Sequence, residues 1–156
     1  TCLVGSEMCI RDRTRTLRQG KILAILIDQG IKSSLGIKIK FFNKYVTATP
    51  SAALLAMRCK SPVLPGFCTR NEDGTFTITL GPPLVLKRAG DLIADLKTNT
   101  QIMTDAIEKM VRKYPEQWFW VHKRWRKYYP HLYPEDMDRR RHRRSREKQR
   151  VQSGMI

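Results

Sequence analysis

The sequence predicts an α/β protein in which a mixed sheet is flanked by helices. Three observations support this prediction. A continuous apolar run from Ile22 to Ile27 is typical of a strand buried on both faces. A second stretch alternates apolar and basic residues, as half-buried strands do. A later segment repeats apolar residues at helical spacing, and a chain in which strands and helices alternate packs its helices on a sheet.

The sequence of the first part of the chain predicts the end of a helix followed by two strands. Residues 14–19 have the character of a helix end, with Gly20 as the C-cap. The run from Ile22 to Ile27 is short for a helix and is therefore assigned as a buried strand. In the stretch Ile37–Phe42, the isoleucines and Phe41 fall on one face and the lysines on the other.

The middle of the chain predicts a short helix and a hairpin. Pro50 begins a helix that ends near Lys60, since proline is favoured in the first turn of a helix. Strands at Val63–Thr69 and Thr75–Leu80 flank the pair Asp73-Gly74, which is typical of tight turns. We expect these two strands to pair with each other.

The strongest helical pattern runs from about Thr100 to Tyr114, after a break at Pro82-Pro83. Pro115 ends this helix, because the residue before a proline disfavours helical geometry. Helical spacing over Trp118–Trp125 predicts a further helix with Trp118, Val121, His122 and Trp125 along one side and basic residues on the others. The apolar stripe of the long helix consists of Ile102, Met103, Ala106, Ile107, Met110, Val111 and Tyr114.

The chain is strongly basic. Lys and Arg number 30 against 14 Asp and Glu, which gives the 156 residues a formal net charge of +16. Residues 122–150 alone contribute 12 − 4 = +8. A charge of this size implies an anionic partner, which is nucleic acid, an anionic membrane or an acidic protein.

Neither a metal site nor a membrane span is predicted. The four cysteines show no paired C-x-x-C spacing, so a zinc site and a disulfide framework are not indicated. No run approaches the ~20 apolar residues that span a bilayer. The segment 1–13 resembles the translation of a sequencing adapter, and we expect it to be non-native. The predicted domain then covers residues 14–127, and residues 128–156 form a basic, flexible tail.

Four stretches, taken in order, resemble the bacterial lipid A biosynthesis (lauroyl/myristoyl) acyltransferases, a family within the lysophospholipid acyltransferase superfamily. Their order and spacing over about residues 14–127 carry the resemblance, and the last stretch is the most specific. The stretches are Gly20–Gln29 (GKILAILIDQ), Ile39–Thr49 (IKFFNKYVTAT), Ala56–Arg70 (AMRCKSPVLPGFCTR) and Pro115–Trp125 (PEQWFWVHKRW).

The resemblance implies transfer of a fatty acyl chain from acyl carrier protein to a lipid A precursor in lipopolysaccharide biosynthesis, at the cytoplasmic face of the inner membrane. It implies no cofactor. The family's catalytic signature is H-x-x-x-x-D or H-x-x-x-x-E, in which His acts as general base. That signature precedes the Asp-Gln strand, and here no His precedes Asp28. We therefore expect this chain to be the C-terminal half of the enzyme, truncated before its catalytic His and membrane anchor, and inactive alone.

One later stretch matches the signature literally, because His131 and Asp136 are spaced as H-x-x-x-x-D. This stretch follows the end of the family resemblance. No predicted strand precedes it to hold the pair rigid, as a catalytic pair requires. We therefore expect no catalytic residue in this chain.

The resemblance also suggests residues that support the active site or bind substrate. Asp28 and Gln29 follow the buried strand, where α/β sheets place ligand contacts, although a plain strand-end turn fits too. Phe41 and Phe42 suit the wall of an acyl-chain channel, with core packing as the alternative. Arg70 suits a phosphate or a carrier-protein carboxylate, with a solvated turn residue as the alternative.

The Trp-rich segment supplies three more candidates, His122, Arg124 and Trp125. Its composition suits a membrane interface, with indoles at the headgroup level and cations on lipid A phosphates. A C-terminal helix packed on the sheet is the alternative. The expected partners are thus acyl carrier protein, the lipid A precursor and an anionic membrane surface.

Two other functions fit parts of the sequence. The stretch from Arg139 to Arg150 would suit a nucleic-acid-binding module. No recognisable nucleic-acid-binding motif accompanies it, and the four ordered stretches would be unexplained, so we expect no nucleic acid partner. A glycerophospholipid acyltransferase of the same superfamily would differ only in its acceptor.

Overall fold

A computed structural model describes residues 7–31 and 36–136 of the chain, with side-chain surroundings from Ile10 onward. The chain divides between Phe119 and Trp120 into two compact units. The mixed α/β class predicted from the sequence is confirmed. The elements of the first unit are α1 (Glu7–Arg18), β1 (Ile37–Phe41), β2 (Lys44–Ala48), α2 (Ser51–Cys59), β3 (Gly66–Arg70), β4 (Phe76–Leu80), α3 (Leu92–Lys113) and the 3-10 helix Pro115–Gln117; the second contains the 3-10 helix Pro130–Leu132.

Strands β1 and β2 form an antiparallel hairpin in which Phe41 pairs with Lys44. Phe42 and Asn43 join the strands, and both have positive φ angles of 51° and 57°. A two-residue turn with positive φ at both positions matches the twist of antiparallel strands. The predicted alternation along β1 is confirmed, since Ile39 and Phe41 are buried between exposed lysines. Phe42, predicted as strand, instead lies in the turn.

The core of the first unit lies between this hairpin and helices α2 and α3. Helix α2 follows Pro50, as predicted, and ends where Lys60 adopts a left-handed φ of 53°. The Lys60 peptide N–H donates to the carbonyl of Ala56, which completes the last turn. The buried apolar side chains are Ile39, Phe41, Val46, Ala48, Ala53, Leu55, Ala56, Met103 and Val111.

Strands β3 and β4 form the predicted hairpin, with Gly66 opposite Leu80 and Arg70 opposite Phe76. The Asn71 N–H donates to the Thr75 carbonyl over 2.8 Å and closes the turn. Gly74 takes a φ of 83°, which only glycine adopts without strain. Hydrogen bonds donated by Thr75 lower the pKa of the Asp73 carboxyl beside it.

Helix α3 begins at Leu92, well before the predicted start at Thr100. The Asp91 side chain caps it by accepting hydrogen bonds from the N–H groups of Ile93 and Ala94. In its first turns, the polar residues Asp95 and Asn99 face the protein interior. Because those positions are polar, the apolar stripe alone could not reveal them.

Two predicted elements are not found. The run Ile22–Ile27 is not a strand, and Ile22 and Leu26 are 95% and 93% exposed. A strand needs a neighbouring strand that pairs with its peptide groups. In the described residues each sheet consists of two strands that pair with each other, and neither sheet includes this run. The described part of the chain therefore has two small antiparallel sheets where one mixed sheet was expected.

The segment Trp118–Trp125, predicted as a helix, consists of turns in the described structure. Its backbone carries short turn-type hydrogen bonds, such as those from Trp118 N–H to Pro115 O and from Arg124 N–H to His122 O. Aromatic and β-branched residues favour helix weakly, which explains the failure of the spacing argument. Most of the predicted tail, including Arg139–Arg150, and residues 1–6 lie outside the described residues.

Candidate functional site

An aromatic cluster brings together Phe41 at the end of strand β1, Phe42 in the following turn, and Trp118. The Phe41 side chain is 1% exposed. Its ring centroid lies 4.8 Å from that of Phe42, edge-on, and 5.7 Å from that of Trp118. Separations of this size are favourable for aromatic pairs. The ring of Phe41 therefore joins the β1–β2 turn to the start of the most specific stretch of the sequence.

Helix α3 fixes the turn from the other side. The Phe42 N–H donates to Glu108 Oε2 over 2.6 Å. Glu108 Oε1 accepts from Arg112 Nη2, also at 2.6 Å, one helical turn later. The Arg112 guanidinium carbon lies 4.5 Å from the centroid of the Phe42 ring, which is a cation–π geometry.

The side-chain amide of Gln117 holds the 3-10 helix against the end of β3. The Arg70 N–H donates to Gln117 Oε1 over 2.7 Å, and Gln117 Nε2 donates to the Arg70 carbonyl over 3.0 Å. This pair of bonds imitates the pairing of a neighbouring strand. The backbone of Arg70 is thereby fixed while the residue remains exposed.

These contacts define the Trp118 cluster, and they bring together three candidates predicted from the sequence. The cluster contains no His, and both oxygens of its one carboxylate, Glu108, accept hydrogen bonds. It can hold an apolar chain or an anionic group, but it offers no general base. Its members are Phe41, Phe42, Arg70, Glu108, Arg112, Gln117 and Trp118, of which Glu108, Arg112 and Gln117 were not singled out beforehand.

Asp28 and Gln29 lie at a bend that follows the extended run. Asp28 is half-buried and Gln29 is exposed. The hydrogen bonds and ring contacts that unite the Trp118 cluster do not involve either residue. A role for them in substrate binding stays a prediction.

The second unit contains an ionic cluster. The Lys123 ammonium contacts both the Asp136 carboxylate and Glu135, the latter at 2.9 Å, and Arg126 Nη1 lies 3.1 Å from Asp136. The hydrogen bond donated by Lys123 lowers the pKa of Asp136, and the bonds that Lys123 donates to Asp136 and Glu135 raise its own pKa. Asp136 is thus held by two cations, while His131 stacks edge-on beside Tyr129 at 6.1 Å.

The remaining candidates also lie in this second unit. His122 and Trp125 are half-buried, and Arg124 is buried. The Trp125 N–H donates to the Tyr133 hydroxyl over 3.4 Å. These contacts order the loop around the ionic cluster, and a role for the three residues in binding lipid or phosphate stays a prediction.

Asp136→Asn should loosen this loop. The lowered pKa means that the carboxylate stabilises the folded loop at pH values above the ordinary Asp pKa of about 3.9. That contribution is lost as the pH falls through the lowered value. We expect faster hydrogen exchange at residues 123–136 in the variant at neutral pH, and the same change in the unmodified chain on acidification. Glu135→Gln, which removes one contact with Lys123, should have a smaller effect, and equal effects would contradict this account.

Gln117→Ala should free the end of β3. Both hydrogen bonds to Arg70 are exposed, so we expect a loss of about 0.5–1.5 kcal/mol in local stability. Hydrogen exchange of the Arg70 N–H measures this loss directly. Glu116→Ala, a neighbouring exposed change, is the control. Unchanged protection of Arg70 in the Gln117 variant would contradict the assignment.

Within residues 7–31 and 36–136, no helix is both long and apolar enough to cross a membrane. In the same residues, no group of three or more His, Cys, Asp or Glu side chains is placed to hold a metal ion.

Comparison with known proteins identifies the family. No curated protein matches the sequence. The family profile described as bacterial lipid A biosynthesis acyltransferase matches residues 3–127. This region includes most of segment 1–13, whose non-native origin stays a prediction, and it covers all four stretches that carried the resemblance. The chain therefore belongs to the bacterial lipid A biosynthesis acyltransferase family.

Proposed function

We propose that this chain is part of an enzyme that transfers a fatty acyl chain from acyl carrier protein to a hydroxyl of a lipid A precursor, at the cytoplasmic face of the inner membrane. In this reaction the acceptor oxygen bonds to the acyl carbon and the thioester C–S bond breaks. The hydroxyl proton passes to a base, and the carrier thiolate leaves and is protonated. The family match over residues 3–127 carries the proposal.

The Trp118 cluster supports a role in holding substrate. Phe41 is fully buried and braces the rings of Phe42 and Trp118, which are both half-buried. An aromatic ring that remains partly exposed can line the path of an acyl chain, since apolar chains need apolar walls. The exposed Arg70, fixed through its backbone, supplies a cation for phosphate or carrier-protein carboxylates.

The general base of the reaction is proposed to lie outside this sequence. The family's H-x-x-x-x-D or H-x-x-x-x-E motif precedes the Asp-Gln pair, and the first His of this sequence is His122. Residues 14–127 would then contribute scaffold and binding surfaces, and the chain alone would not catalyse transfer. Asp136, engaged by Lys123 and Arg126, is poorly suited to orient a base.

An assay with purified protein tests the proposal. The reading frame from which this chain derives, with any coding sequence before Thr1, is expressed and supplied with acyl carrier protein thioester and a lipid A precursor. We expect one acyl chain to be added to the precursor. The chain from Thr1 to Ile156, assayed in parallel, should add none.

The same assay compares acceptors of the acyl chain and compares acyl donors. Transfer to glycerophosphate or a lysophospholipid, with none to the lipid A precursor, would assign the protein to the related glycerophospholipid branch and contradict the proposal. Transfer from acyl coenzyme A but not from the carrier-protein thioester would contradict the proposed donor.

A further inference from the structure

Side-chain amides in the described residues pair with backbone peptides in the way that a neighbouring strand would. Each amide oxygen accepts from a peptide N–H, and the amide nitrogen donates to the carbonyl of the same residue. The pairs are Gln117 with Arg70, Gln101 with Lys40 and Asn99 with Lys87. Among these pairs, the one between Gln117 and Arg70, here called the Gln117 clamp, belongs to the Trp118 cluster.

The backbone of Arg70 is held on both sides of β3. On one side Arg70 lies opposite Phe76, and the next residue, Asn71, donates its N–H to the Thr75 carbonyl. Bonding alternates along an antiparallel pair, so the N–H and carbonyl of Arg70 point away from β4. The Gln117 clamp takes up both groups, over 2.7 and 3.0 Å. The direction in which the Arg70 side chain leaves the strand is therefore fixed at its Cα atom.

Gln117 is itself held by its neighbours in the chain. It ends the 3-10 helix that begins at Pro115, and its own N–H donates to the Tyr114 carbonyl over 3.1 Å. The next residue, Trp118, has its ring centroid 5.7 Å from that of the buried Phe41. Because its backbone is already fixed, Gln117 loses little conformational entropy when its amide holds Arg70.

The guanidinium of Arg70 is available to an anion. Its Nη2 atom lies beside Gly74 in the β3–β4 turn, 4.0 Å from where a Cβ atom of that residue would stand. Among the residues that the structure describes, none forms an ion pair with this guanidinium. The nearby Asp73 carboxylate instead accepts hydrogen bonds from the N–H and hydroxyl of Thr75.

The charges around Arg70 favour a single anionic group over an acidic macromolecule. Arg70 is the only basic residue in the sequence from 61 to 86. Exposed carboxylates flank it, with Glu72 and Asp73 in the hairpin turn and Glu116 beside the clamp. An acidic protein or a nucleic acid presents many charges, most of which would face carboxylates here. One phosphate group needs only one guanidinium, whose planar fork matches two of its oxygens.

We propose that Gln117 is a positioning residue, which sets Arg70 to bind a phosphate group of the acyl acceptor. This inference rests on the proposed function, in which the acceptor is a lipid A precursor. Gln117 directly precedes Trp118, so the clamp brings Arg70 close to the half-buried rings of Phe42 and Trp118. Those rings suit an acyl chain and the guanidinium suits a phosphate, and a phosphorylated lipid carries both groups.

Nuclear magnetic resonance of the whole chain, Thr1 to Ile156, tests the proposal without acyl transfer. The probe is glucose 1-phosphate, and glucose is the reference. We expect the phosphorylated probe to shift the Nε–H signal of Arg70 and the peptide N–H signal of Asn71, and glucose to shift neither. Because each signal reports on one residue, phosphate held by other cations of the chain does not interfere.

Gln117→Ala should raise the dissociation constant read at Asn71 about threefold to tenfold, the usual worth of such hydrogen bonds. The matched control, Gln101→Ala, removes the same kind of amide pairing from Lys40 and should change the constant less than about twofold. Arg70→Lys keeps the charge but loses the fork, and it should bind more weakly than the unmodified chain but better than Arg70→Ala. Circular dichroism checks that each variant keeps its fold.

A double variant tests whether Gln117 acts through Arg70. Arg70→Ala should weaken binding more than Gln117→Ala does, and adding Gln117→Ala to it should have no further effect. A double variant that binds more weakly than Arg70→Ala would overturn the positioning role. Equal weakening by Gln117→Ala and Gln101→Ala would show only a general loosening of the fold, and would overturn it too. Signal shifts at Arg70 with acyl carrier protein, but none with the sugar phosphate, would assign the guanidinium to the donor and contradict the proposal.

Kinetics of the protein expressed from the whole reading frame supply a second readout. Gln117→Ala should raise the KM for the phosphorylated acceptor more than it changes either kcat or the KM for the carrier-protein thioester. A fall in kcat with an unchanged acceptor KM would contradict the proposal. Since the binding measurement needs no turnover, an absence of acyl transfer leaves its result standing. A loss of phosphate binding at Arg70 alongside normal acyl transfer would overturn this inference alone.

Discussion

Phe41→Ala should lower the free energy of unfolding by about 3–5 kcal/mol, the usual cost of removing a buried phenylalanine ring. The ring is 1% exposed and contacts both Phe42 and Trp118. Its loss leaves a cavity beside Phe42 and Trp118. Since small domains are stable by about 5–15 kcal/mol, this variant should be largely unfolded under mild denaturant.

Urea unfolding followed by circular dichroism measures this effect. Phe41→Leu keeps an apolar side chain and should fall between the unmodified chain and Phe41→Ala. Phe76→Ala, at a position 66% exposed, is the control and should cost less than about 0.5 kcal/mol. A loss below about 1 kcal/mol for Phe41→Ala would show that Phe41 does not anchor the cluster.

Asn99→Ala should cost about 2–4 kcal/mol, because it leaves the N–H and carbonyl of Lys87 without their partners. Asn99 is fully buried, exchanges two hydrogen bonds with Lys87 and donates to Met57 Sδ over 3.2 Å. It therefore joins α3 to both α2 and the segment around Lys87.

Gln101→Ala provides a matched comparison. The Gln101 amide exchanges the same two hydrogen bonds with Lys40, at 2.8 Å each, but in an exposed setting. Water can replace those bonds, so we expect a loss of only about 0.5–1.5 kcal/mol. Urea unfolding of both variants should rank Asn99→Ala as clearly more destabilised. Equal losses would show that burial of the amide does not set the cost.

Elements with local signals could be predicted from the sequence. The β3–β4 hairpin follows from Asp73-Gly74, and helix α2 follows from Pro50. The prediction of a strand at Ile22–Ile27 was wrong, because a strand depends on a partner strand that no local pattern specifies. The start of α3 was missed because its inward positions, Asp95 and Asn99, bind backbone groups rather than apolar side chains.

In the candidate site, too, residues with a local sequence signal could be predicted and residues that depend on distant partners could not. Phe41, Phe42 and Arg70 were recognisable by residue type and by the family stretches, and the structure brings them together. Glu108 and Gln117 were not singled out, because each binds a backbone N–H that lies 66 or 47 residues away in sequence. The position of Gln117 beside Trp118, inside the most specific stretch, was the one available signal.

The mass of lipid A made in cells tests the central claim most directly. A bacterial strain that lacks one late lipid A acyltransferase is given the reading frame from which this chain derives, with any coding sequence before Thr1. We predict that mass spectrometry will show lipid A heavier by one fatty acyl chain than in the same strain with an empty vector. An unchanged lipid A mass, with the protein present at normal levels, would contradict acyl transfer to lipid A as the function.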